Sequence, residues 1–161
     1  MAYNLLTVDP VGAAVVARAL AGCLGVAVRD VDVADADGDP ELRNWEAPVL
    51  CQYEAVRGDL SRAWDIYAGE SVAGQPPEGE VAAALAKEAG TTVLFPAVEA
   101  PPSAYWAVTP EGLVTRARLE PSDDEPPVFT VTAVEAPVSQ LPGAVVTRFA
   151  EIVREQRPDS P

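Results

Sequence analysis

The chain has 161 residues, 48% hydrophobic and 22% charged, which supplies enough apolar side chain for one buried core and rules out wholesale disorder. Acidic residues outnumber basic ones 25 to 11, a formal charge of −14, and histidine is absent. The charge sets the chain against nucleic-acid backbones and anionic membranes, and the missing imidazole removes histidine triads and the commonest general base near neutral pH.

One α+β domain over 1–157 is expected, followed by a frayed tail at 158–161. No apolar stretch reaches the roughly 18–20 residues of a membrane span, and residues 1–10 carry neither a basic segment nor a cleavage site, so a cytoplasmic protein is expected. Cys23 and Cys51 have no neighbouring cysteine or histidine in sequence and read as free, buried thiols.

In chain order, 3–8 reads as a strand, and Asp9-Pro10 opens a helix over 10–24 that leaves at Gly25. A strand is expected over 26–33. Residues 49–56 form one arm of a hairpin that turns at Arg57-Gly58-Asp59. The return arm is 60–67, with Leu60, Arg62, Trp64 and Ile66 on one face. Pro77-Glu78-Gly79-Glu80 opens a second helix over 78–89, which leaves at Gly90 into a strand over 91–98. A second hairpin pairs 103–108 with 113–119 across Pro110-Glu111-Gly112. Residues 121–127 read as a solvated loop, 128–134 as a strand, and 141–157 as a third helix with Val145, Val146, Phe149, Ile152 and Val153 as its apolar stripe.

Leu20 aligns with Leu85 and Gly25 with Gly90 at a shared separation of 65 residues, so the chain reads as two pseudo-repeated helix-strand-hairpin halves, 9–70 and 77–120. The fold class expected is α+β: a mostly antiparallel sheet with three helices on one face.

The segment from Asp35 to Glu46 resembles an EF-hand calcium loop, with acids at its first, third, fifth and twelfth positions. The sixth position holds Pro40, whose φ is locked near −65° where the loop needs the positive φ of glycine, so a solvated acidic loop is expected. Asp30 and Asp32 are placed together on one strand face. Neither cysteine has a base to activate it, and no glycine spacing matches a phosphate loop, so no cofactor, metal or catalytic residue is assigned. Trp45 stands in the acidic loop outside any apolar periodicity, whereas Trp64 and Trp106 lie in strands and read as core.

These features point first to a non-catalytic protein-binding module, such as an immunity protein that neutralises a basic toxin or enzyme domain. Asp35, Asp37, Asp39, Trp45, Glu46, Asp123, Asp124 and Glu125 are its expected partner contacts, since complementary charge speeds association and aromatic anchors slow release. A small-ligand regulatory domain is the alternative, with Arg62, Arg116 and Arg118 as anion-holding candidates. An enzyme using carboxylates and a divalent metal, through Asp30, Asp32, Asp35 and Asp37, ranks third.

Overall fold

A computed structural model describes residues 1–97 and 101–150 of the chain. Among these described residues ten strands and two α-helices follow in the order β1 (Ala2–Thr7), α1 (Ala13–Leu24), β2 (Val31–Asp35), β3 (Val49–Ala55), β4 (Arg57–Gly58), β5 (Arg62–Ala68), α2 (Glu78–Ala89), β6 (Val93–Pro96), β7 (Ala104–Val108), β8 (Val114–Pro121), β9 (Val128–Val134) and β10 (Val145–Val146). The fold is α+β. All ten strands belong to one mixed sheet in the order β10-β9-β8-β7-β6-β1-β5-β3-β2, with β4 paired to β9. The β2/β3, β4/β9 and β9/β10 pairs are parallel and the remainder antiparallel. Among the described residues no helix is long and apolar enough to cross a membrane.

Both helices cover the same face of the sheet, and alternation along the strands divides the apolar residues between two cores. On the helix side, Leu20 of α1 and Leu85 of α2 pack with Tyr3, Leu5, Trp64 and Ile66 of the central strands. Trp64 is fully buried, and its indole N–H donates to the Thr7 hydroxyl at 3.1 Å, so its one polar atom is satisfied. On the other side, Leu6, Leu60, Leu94, Leu119 and Val131 form a second core. They meet because the far half of the sheet rolls over until β9 reaches β4. A register shift between Arg118 and Leu119 in β8 supplies part of the bend.

The roll closes at Gly58. Its φ is +95°, and a Cβ there would stand 2.2 Å from the Phe129 carbonyl oxygen, so backbone meets backbone at a place only glycine can occupy. Arg57 N–H donates to the Pro127 carbonyl (3.1 Å), Asp59 N–H to that of Phe129 (2.8 Å), and Val131 N–H to the Asp59 carboxylate (2.8 Å).

Several sequence expectations hold: α2 and β9 have the expected bounds, both hairpins form, and each helix leaves through a left-handed glycine, Gly25 or Gly90. Others are corrected. Helix α1 starts at Ala13 because Gly12 is extended, and Asp9 does not cap it; its carboxylate accepts from the Gln140 amide instead. Residues 28–30 form a 3₁₀ turn in which Asp30 accepts the Ala27 N–H, so Asp30 and Asp32 do not share a strand face. Leu60 packs in the second core, away from Trp64 and Ile66, because the chain changes face between β4 and β5.

The expected third helix is absent over 141–150. Pro142 and Gly143 form a turn, and the β-branched Val145 and Val146 pair with Ala133 and Val134 of β9 as β10. The rest of that segment, 151–157, and the tail, 158–161, lie outside the described residues, as does Val98 of the expected strand over 91–98. The two halves also differ in pairing. The strand after α1 runs parallel to its hairpin neighbour β3, whereas the strand after α2 runs antiparallel to β7.

Candidate functional site

Among the described residues, the face of β1, β5, β3 and β2 that points away from the helices has no layer over it at its open end. Register fixes what it displays. Ala2, Tyr67, Leu50 and Asp32 lie side by side in one row, Asn4, Asp65, Gln52 and Ala34 in the next, and Leu6, Ala63 and Glu54 in a third. Successive rows are two residues apart along each strand, about 6.7 Å.

The loop 36–48 runs from the end of β2 back to the start of β3 and borders this face. It is anchored by Arg43, whose Nε donates to the Asp32 carboxylate at 2.6 Å and whose Nη2 donates to the Cys51 carbonyl at 3.2 Å. The two side chains are only 7% and 20% exposed, so desolvation offsets much of their Coulomb attraction, and the pair acts chiefly to hold the loop in place. The Arg43 guanidinium in turn lies 4.9 Å from the Trp45 ring centroid, and the Trp45 indole N–H donates to the Pro40 carbonyl at 3.0 Å. Trp45 is therefore held on two sides while remaining 58% exposed.

Trp45, Tyr67, Leu50 and Ala2 line a hollow of about 300 Å³ whose further wall is Asp65 and Gln52. Beyond Asp65 lies a second hollow of about 140 Å³, lined by Leu6, Ala63, Pro96, Tyr105 and Phe129, at the open mouth of the second core. Asn4 and Asp65 border both hollows, so the two form one groove interrupted by a polar row. The side chains of Asn4, Asp65 and Gln52 are exposed and have no hydrogen-bond partner among the described residues. The backbone N–H of Asn4 is capped from beyond the edge of β6 by the Glu78 carboxylate at 2.8 Å. Burial pushes the Glu78 carboxyl above its usual range, and this hydrogen bond opposes the shift.

The expected contact residues divide between two places. Asp35, Asp37 and Asp39 are exposed at the end of β2, where Asp35 accepts the Asp37 N–H and Asp39 the Glu41 N–H, both at 2.9 Å. These carboxylates order their own turn, and the segment is an exposed acidic loop. Trp45 and Glu46 lie at the opposite end of that loop, beside the start of β3. Asp123, Asp124 and Glu125 are exposed in the loop between β8 and β9, which is tied to Arg57 through the Pro126 and Pro127 carbonyls. Arg57 follows Tyr53, the β3 partner of Asp35, by four residues, about 13 Å of extended chain. Asp35 and the 123–125 segment therefore flank one end of β3, and Trp45 lies toward the other, its indole tied back to Pro40 beside Asp39.

Asp65, Gln52 and Asn4 were missed. Their signal was the alternation of β5: with Arg62, Trp64 and Ile66 directed to the core, Asp65 and Tyr67 had to face away. The arginines considered for anion binding stack on rings instead: Arg62 lies 4.3 Å from the Tyr53 centroid, Arg116 4.2 Å from Trp106 and Arg118 4.7 Å from Phe149. Arg62 also donates to the Val11 carbonyl at 2.7 Å. Among the described residues no group of three or more histidine, cysteine, aspartate or glutamate side chains is placed to hold a metal ion, and Asp32 is committed to Arg43. Both cysteines are free; burial pushes the Cys51 thiol up to about 12, against the opposing pull of Arg43. Comparison with protein-family models, with curated proteins and with solved structures finds no match to this chain.

Proposed function

We propose that the chain is a non-catalytic, acidic protein-binding module, of the immunity type, that engages a basic toxin or enzyme domain across the uncovered face of its sheet. The observation that carries this reading is Trp45: a large aromatic, mostly exposed, yet fixed by Arg43 and the Pro40 carbonyl at the lip of a hollow. A side chain already ordered before contact loses little entropy when buried, which is what an interface anchor requires. The acidic segments bordering the face supply the complementary charge for steering.

The test is capture from lysate of the source organism with the immobilised chain, followed by kinetics on the recovered basic protein. Exchanging Asp35, Asp37, Asp39, Glu46, Asp123, Asp124 and Glu125 for their amides should slow association about tenfold at low salt and flatten its salt dependence. Trp45→Ala should instead speed dissociation. Association and dissociation rates that ignore both sets of changes sink the proposal. The 300 Å³ hollow also suits a small molecule, and a ligand that raises the melting temperature of the lone chain would favour that second reading.

A further inference from the structure

Resting on that reading, we infer that the groove recognises an extended segment of the partner in which an apolar, a basic and a second apolar side chain occur at every second residue. The apolar pair enters the two hollows and the cation meets Asp65. The argument is one of spacing and charge. Tyr67, Asp65 and Ala63 are consecutive residues of β5 on the uncovered face, so the Trp45 hollow, the polar row and the Phe129 hollow succeed one another at about 6.7 Å. An extended peptide laid along β5 repeats its own same-side residues with that period.

The centre of the groove asks for a positive charge. Asp65 is the only ionisable member of the polar row, and the Asn4 and Gln52 side chains beside it offer further acceptors to the same group. Arg43, the one cationic side chain among the described residues that line the groove, is neutralised by Asp32 and turned into the loop's anchor. A guanidinium or ammonium over Asp65 would also lie within a chain whose overall charge is −14. Beyond the Phe129 hollow, Phe129 follows Pro127 by two residues, so the segment's next residues run toward Asp123, Asp124 and Glu125. Those residues have use for further basic side chains.

The experiment is titration of the ¹⁵N-labelled full chain with a capped pentapeptide bearing leucine at its first and fifth positions, arginine at its third and threonine between them. A control peptide has the same composition with arginine moved to the second position. The expected result is a saturable set of shifts at Asn4, Gln52, Asp65, Tyr67 and the Trp45 indole N–H, with the control at least tenfold weaker. Asp65→Asn, which keeps shape and removes charge, should weaken the first peptide about tenfold, and Tyr67→Ala should weaken it independently of arginine. No localised shift with millimolar peptide, equal binding of the control, or shifts centred between the helices each overturn the inference. Binding of free arginine amide as tight as the peptide overturns it too, in favour of a small-cation site. None of these outcomes touches the captured-partner kinetics, which judge the acidic loops and Trp45 separately.

Discussion

Replacing Gly58 by alanine tests whether closure of the roll rests on one residue. The new Cβ would meet the Phe129 carbonyl oxygen at 2.2 Å and its nitrogen at 3.0 Å, both backbone atoms that no rotamer change can move. At φ +95° an alanine also carries a backbone strain of about 1–3 kcal/mol. Relief of the contact requires β4 to part from β9, which breaks the Arg57 and Asp59 N–H bonds at about 1 kcal/mol each. The expected loss is thus about 3–5 kcal/mol, a large part of the roughly 5–15 kcal/mol that holds an ordinary domain folded. Gly112 provides the control, because its φ is +93° but a Cβ there meets nothing within 4 Å. Equilibrium urea unfolding, followed by tryptophan fluorescence, should place Gly112→Ala about 1–3 kcal/mol below the parent and Gly58→Ala about 2 kcal/mol lower still. Equal losses for the two variants would refute the argument, since only the contact with β9 distinguishes them.

Arg43→Ala should leave the Asp32 carboxylate partly buried without a partner and free Trp45 of its cover, at a cost of about 1–3 kcal/mol; the accompanying sign is greater quenching of tryptophan emission by acrylamide. Cys51 should resist a disulfide reagent at pH 8 until the chain unfolds, because its folded pKa of about 12 leaves it protonated there; Cys23, half-buried, should react first. By linkage, a thiol whose pKa rises on folding favours the folded state fully below the unfolded value near 9. That contribution fades as pH climbs from about 9 toward 12, and urea midpoints measured across this range should fall, less so in Cys51→Ser. Glu78→Gln should retain the acceptor for Asn4 N–H and change stability by less than about 0.5 kcal/mol, whereas Glu78→Ala leaves that edge amide without its partner and should cost about 1 kcal/mol in the same assay.

Local chemistry made much of the fold legible. Acids after a proline and an alanine-rich register defined α2, and β-branched alternation defined β9, because in both the information lies within a few residues. Where long-range pairing decides, the same reasoning failed. Val145 and Val146 suit a helical stripe as well as a strand, and the exposed edge of β9 chose the strand. Leu60 lies on the expected alternation of its hairpin, but the two residues of β4 that pair with β9 shift the face. At the candidate site, Trp45 was legible as an aromatic out of place. Asp65 was not, because a single acid among 25 acquires meaning only when Asn4 and Gln52 are set beside it from strands about 60 and 13 residues away.

The joint between β4 and β9 also bears on the order of folding. The hydrogen bonds that make it connect residues 69 to 72 positions apart, whereas each hairpin closes over a handful. Loop-closure entropy disfavours such contacts until the intervening strands are aligned, so the roll should shut after the transition state, with its bonds contributing little to the folding rate. Weakening the joint then acts on the other limb of the chevron: the chain reaches its native state at nearly its usual speed and leaves it sooner.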